Sequence, residues 1–109
     1  SDKGSYRGGV LAADGMIYLI PHDSTQVLRF DPTDRTATLV GKKFRGYSKW
    51  DGGVLGKDGC VYGIPHRASR ILRFDPTTQI ASLVGDDLGN IYFKWAGGAV
   101  DSNGIIYGV

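Results

Sequence analysis

The chain has 109 residues, of which 41% are hydrophobic and 22% charged, with a formal net charge of +2. That length fits one domain with its own core, and no basic stripe of the kind that tracks a nucleic-acid backbone is present, since Lys42-Lys43 with Arg45 and Lys49 reads as a solvated loop. No apolar run approaches the ~20 residues of a membrane-spanning helix, so neither nucleic acid nor membrane is an expected partner. The single cysteine, Cys60, has no partner within the chain for a disulfide and reads as a small buried hydrophobe.

Residues 1–5 are small and polar and read as a flexible start, with no charged-then-apolar leader. A soluble form is expected, and no compartment is implied. Val10-Leu11-Ala12 then runs through Asp14-Gly15 into Met16-Ile17-Tyr18-Leu19-Ile20. An Asp-Gly pair between two apolar runs predicts a β-hairpin with a type I′ turn, in which both central residues take positive φ. Pro21 ends the second strand because it has no N–H for the ladder. After the loop His22-Asp23-Ser24-Thr25, a third strand spans Val27-Leu28-Arg29-Phe30. Asp31-Pro32-Thr33 is a turn, with φ preset by proline and Asp31 bonding back to the backbone. Thr36-Ala37-Thr38-Leu39-Val40 is a fourth strand, stopped by Gly41.

All of this returns 44 positions later, and 20 of the 34 positions in 8–41 and 52–85 are identical. A third copy opens at Gly97-Gly98 and keeps Asn103-Gly104 and Tyr107. Each repeat is an antiparallel meander of four short strands. A repeat of that length and strand count predicts an all-β fold of β-propeller blades. The boundaries fall at 6–48 for a first blade, 49–93 for a second and 94–109 for a half blade. Apolar residues occupy both strand faces, as in a sheet covered on both sides. A ten-strand β-sandwich is the competing fold, but it gives no reason for the period.

The Gly-Gly opening with aromatic punctuation resembles kelch repeats. The Ile-Pro…Leu-Arg-Phe-Asp-Pro-Thr cadence resembles the quinoprotein-like and lactonase-like propellers. The resemblance covers residues 6–109 and implies the blade. It departs from kelch in placing the Gly pair at Gly8, Gly52 and Gly97, before the first strand, and no family site residue aligns.

Strand direction sorts the loops. The first-to-second and third-to-fourth turns share one end of the blades, and the second-to-third loops and inter-blade connections share the other. The second end is where binding groups are expected. It collects the candidate ligand-binding residues His22, His66, Arg67, Lys49, Trp50, Lys94 and Trp95, with Tyr47, Tyr92 and Ser69 nearby. His22 and His66 are either ring-arrayed ligand donors or loop histidines bonding backbone carbonyls. Trp50, Trp95 and Tyr6 precede each Gly pair, as stacking platforms or as wedges between blades. The Gly pairs imply close backbone approach near the axis, and Arg29 and Arg73 read as pairing with Asp31 and Asp75 across repeats. No catalytic set, metal site or cofactor motif stands out.

Closed propellers have four to eight blades. Two and a half blades therefore imply either a fragment of a longer propeller or a chain that assembles with copies of itself. The expected function is a non-catalytic structural or binding scaffold, a fragment or repeat module that closes by self-assembly as a homo-oligomer, with a dimer ahead of a trimer. One alternative is a lectin-like module for a glycan or small molecule. The other is part of a propeller enzyme, of lyase or lactonase type, whose site needs further blades.

Overall fold

The computed structural model describes residues 5–46, 48–68 and 70–84 in full, and the backbone of residues 98–100 and 106–108. The first repeat forms β1 (Tyr6–Leu11), β2 (Ile17–Pro21), β3 (Val27–Asp31) and β4 (Thr36–Val40), one antiparallel sheet in chain order. The second forms β5 (Trp50–Leu55), β6 (Val61–Pro65), β7 (Ile71–Asp75) and β8 (Ile80–Val84) in the same way. β9 (Gly98–Val100) and β10 (Ile106–Gly108) make a two-stranded sheet, pairing Tyr107 with Ala99 as Val10 pairs with Tyr18 and Val54 with Tyr62. These are propeller blades: two four-stranded meanders side by side, with innermost strands β1 and β5 in contact. The Asn103-Gly104 turn lies outside the described residues.

Three local expectations are corrected. The Gly pairs lie inside β1 and β5, where the register slips between Tyr6 and Gly9 and between Trp50 and Gly53. Each is a bulge, with Gly8 at φ +82° and Gly52 at φ +81°, so the strand starts earlier than an apolar run alone suggests. A Cβ on Gly8 would sit 2.9 Å from Gly52 Cα, the close approach of inner strands that the pair permits. The hairpin turns are not type I′, because only the glycine of each Asp-Gly pair has positive φ. Gly15 N–H donates to Ala12 O and Ala12 N–H to Met16 O, both at 3.0 Å, which makes a three-residue loop closed by a left-handed glycine. Asp14 earns its place by accepting from Met16 N–H at 2.9 Å. Finally, Arg29 pairs across the blades with Gln79 (3.2 Å) and not with Asp75, while Arg73 stays in its own blade against Tyr62 and Asp58.

The core lies between the blades. From the first blade come Tyr18, Ile20 and Val27, and from the second Leu72 and Phe74, all with 0% exposure. Tyr18 and Phe74 meet with ring centroids 5.0 Å apart. Ile20 fills the notch left by Gly53 and Gly63, where added Cβ atoms would come within 2.7 and 3.2 Å of it.

The duplicated sequence provides an internal control on burial. Register places Leu11, Ile17, Leu28, Phe30, Ala37 and Leu39 on one face of the first blade. In the second blade the equivalent face packs against the first: Phe74 and Leu72 are 0% exposed and Ala81 6%. The first blade's copies are open, with Leu11 at 63% and Leu39 at 44%, Ala37 exposed and Phe30 only half-buried. Identical side chains differ because one face has a neighbouring blade.

Candidate functional site

The predicted loop end is stitched by backbone. The β2–β3 loop receives residue 5, with His22 N–H donating to Ser5 O at 3.0 Å. It then receives the β4–β5 connection, where Lys49 N–H donates to His22 O at 2.9 Å and Phe44 N–H to Thr25 O at 2.7 Å. The β6–β7 loop grips that connection from the other side, through His66 N–H to Lys49 O and Arg67 N–H to Ser48 O, both 2.8 Å. Asp23 accepts from Ser48 N–H at 2.8 Å, and chiefly for that reason its carboxyl titrates below the ordinary range.

His22 Nδ1 lies 3.0 Å from Trp50 O, and the His22 and His66 rings stack at 5.7 Å with 23° between planes. Trp50 is the first residue of β5 and only 1% exposed. Its indole Nε1 donates to Arg70 O at 2.9 Å, and Phe44 meets it edge-on at 5.1 Å. Lys49 is 4% exposed and donates from Nζ to Gly46 O at 2.6 Å. Lys94 and Trp95 lie outside the described residues, as do Tyr47, Ser69 and Tyr92.

Lys49, Trp50 and Arg67 thus come together around a cavity of about 350 Å³ between the β4–β5 connection and the β6–β7 loop. The two histidines stack beside that connection without lining the cavity. Sequence reasoning missed Arg45 and Arg70, which add charge, and Phe44, Ala68 and Leu83, which add apolar wall. The signal was present where the repeats differ: Arg67 stands in the place of Asp23, and Arg70 in that of Gln26.

Reactive chemistry is muted elsewhere. Burial pushes the Cys60 thiol up, with Asp58 adding to it, so the thiolate is disfavoured. The Tyr18 hydroxyl is pushed up to about 12, first by burial and then by its bond to Asp14. Among the described residues, no group of three or more His, Cys, Asp or Glu is placed to hold a metal ion. Nor, among them, is any helix long and apolar enough to cross a membrane.

No protein-family model matches this chain, and no curated protein matches it. Among solved structures it is similar to selenomethionine-substituted virginiamycin B lyase from Staphylococcus aureus, a β-propeller protein, with a TM-score of 0.69 and 18% identity. The likeness covers 100% of this chain and 35% of that one, so the chain spans about a third of the length of its neighbour. At that identity the likeness bears on the fold, and the fold is a β-propeller's.

Proposed function

We propose that this chain is a non-catalytic propeller module that completes its ring by docking a further blade onto the open face of its first blade, supplied by a second copy of the chain. The observation carrying this reading is the burial contrast between Phe30, Ala37 and Leu39 and their copies Phe74, Ala81 and Leu83. A face with that composition receives a blade once within the chain already. Its exposed twin offers roughly a few hundred Å² of largely apolar surface, worth several kcal/mol at ~25 cal/mol per Å². Head-to-tail docking of this kind is heterologous, so it closes into a ring or grows on. A closed dimer is favoured ahead of a trimer.

One substitution marks the seam. Leu19 stands where Gly63 makes room for Ile20. A blade docking on the first therefore presents a smaller residue there, and in the third repeat the residue two after Tyr107 is Val109.

Light scattering at micromolar concentration tests the proposal. The wild-type chain is expected at a small multiple of 11.8 kDa. Ala37→Arg, on the open face, is expected to give a folded monomer. Ala81→Arg, whose site lies 3.0 Å from where a Cβ on Gly41 would be, is expected to unfold the chain. A folded wild-type monomer overturns the reading.

A further inference from the structure

We propose that the cavity between the two blades binds a small organic oxyanion, a carboxylate or phosphate ester carried on a compact apolar body. This goes beyond assembly, since one chain supplies the described lining, from its β4–β5 connection and β6–β7 loop with Trp50 of β5 and Leu83 of β8. It stands whether or not copies associate.

Four cationic side chains, Arg45, Lys49, Arg67 and Arg70, line the cavity, and its described lining contains no carboxylate. Three of the four are arginines, whose planar forks match carboxylate and phosphate oxygens two at a time. A guanidinium carries five donors, so one already bonded within the fold retains others for a ligand. The same lining includes Phe44, Trp50, Ala68 and Leu83, apolar surface for the rest of the molecule. The volume, about 350 Å³, lies at the small end of the range for ligand pockets.

The duplication makes this charge specific to one place. In the first repeat the two loop positions do structural work: Asp23 accepts from Ser48 N–H, and Gln26 donates from Nε2 to Gly41 O. The second repeat has Arg67 and Arg70 at those positions. An arginine has no acceptor with which to cap a backbone N–H as Asp23 does. The fold accepts aspartate and glutamine in this loop, yet here it carries two arginines instead. The change puts two cations where the first repeat has an acidic and a neutral side chain, beside Arg45 and the buried Lys49.

The test titrates the full chain with phenyl phosphate and with benzoate, using benzyl alcohol as the neutral analogue and inorganic phosphate as the anion without a body. Amide chemical shifts of the β4–β5 connection and β6–β7 loop follow binding, at low and at high salt. At least one aromatic anion is expected to bind in the millimolar range or tighter, and which of the two binds better tells carboxylate from phosphate ester. Binding should weaken with salt, and both controls should bind less. R67D/R70Q installs the first repeat's own residues, so the fold is expected to survive, verified by melting. In it affinity should fall about tenfold or more. The proposal is overturned if neither aromatic anion binds at millimolar concentration, or if benzyl alcohol or inorganic phosphate binds as well. It is equally overturned if a folded R67D/R70Q binds like the wild type.

Discussion

Glycines here differ both in backbone torsion and in what surrounds them, and that separates two costs. Gly15 and Gly59 sit at φ +84° and +83° with nothing within 4 Å of where a Cβ would be. A Cβ there meets no neighbour, and the expected penalty for valine is chiefly the left-handed torsion, on the order of 1–2 kcal/mol each. Gly53 has no such torsion, but a Cβ would lie 2.7 Å from Ile20 Cγ1. Gly53→Ala, the milder change on paper, is expected to lower the melting temperature at least as much as Gly15→Val or Gly59→Val. Thermal unfolding of the three variants checks it, and unchanged melting in the two valine variants would mean that the turns are misplaced. At this scale the sequence was legible where a residue had one conformational job. The glycine of each Asp-Gly pair was readable, but the aspartate's φ was not, because Asp serves a type I turn by accepting a bond as readily as it tolerates positive φ. Arg35 and Gln79, at φ 60° and 61°, gave no signal at all. Neither is a turn former, and both positions follow from the register of the strands they join.

Between elements, a short polar rim closes the apolar seam where Tyr18 meets Gln79. The Tyr18 hydroxyl donates to Asp14 at 2.6 Å and accepts from Gln79 Nε2 at 3.0 Å, and Arg29 reaches Gln79 from the same blade. Because burial and Asp14 raise this hydroxyl from 10.0 to about 12, its neutral form is the one the fold stabilises. That contribution is complete below pH 10 and is lost as pH climbs through about 12. Tyr18→Phe is therefore expected to be less stable than wild type by ~1–2 kcal/mol at neutral pH. The gap should narrow only above pH 10. Denaturant unfolding of both proteins across pH 7–12 measures it, and a gap already closing at pH 8 would show that another group is responsible. Strand existence and order were readable from the period, since each apolar run ended in proline, glycine or an Asp-Pro turn. The start of each inner strand was not, because Gly8-Gly9 and Gly52-Gly53 look like a break and are a bulge. The candidate site was half legible for a related reason. Chain direction put Lys49, Trp50 and Arg67 at one end, but Arg45, Arg70 and Phe44 are visible only when the repeats are compared for their differences.

At the scale of the whole molecule, the two phenylalanines at equivalent positions distinguish what one chain needs from what an assembly needs. Phe74 is 0% exposed against Tyr18, at the seam every folded chain contains. Phe30 has the equivalent register partners in its own sheet but is only partly buried, because no blade covers that face. Truncating a buried phenylalanine costs ~3–5 kcal/mol, a large part of the ~5–15 kcal/mol that holds a domain together. Phe74→Ala should therefore unfold most chains at 37 °C whatever their concentration. Phe30→Ala removes less, since its ring is already partly in water, and a dilute sample should melt closer to wild type than Phe74→Ala does. The difference emerges on concentrating. In the proposed assembly, binding between folded copies would stabilise them by mass action, so the wild-type melting temperature is expected to rise with concentration while that of Phe30→Ala stays flat. Melting curves from about 1 to about 100 times a starting micromolar concentration resolve this, since each tenfold in association is worth ~1.4 kcal/mol. Parallel slopes for the two proteins would place the contact between copies on some other face. A wild-type melting temperature independent of concentration would leave the open blade face with no second copy to receive.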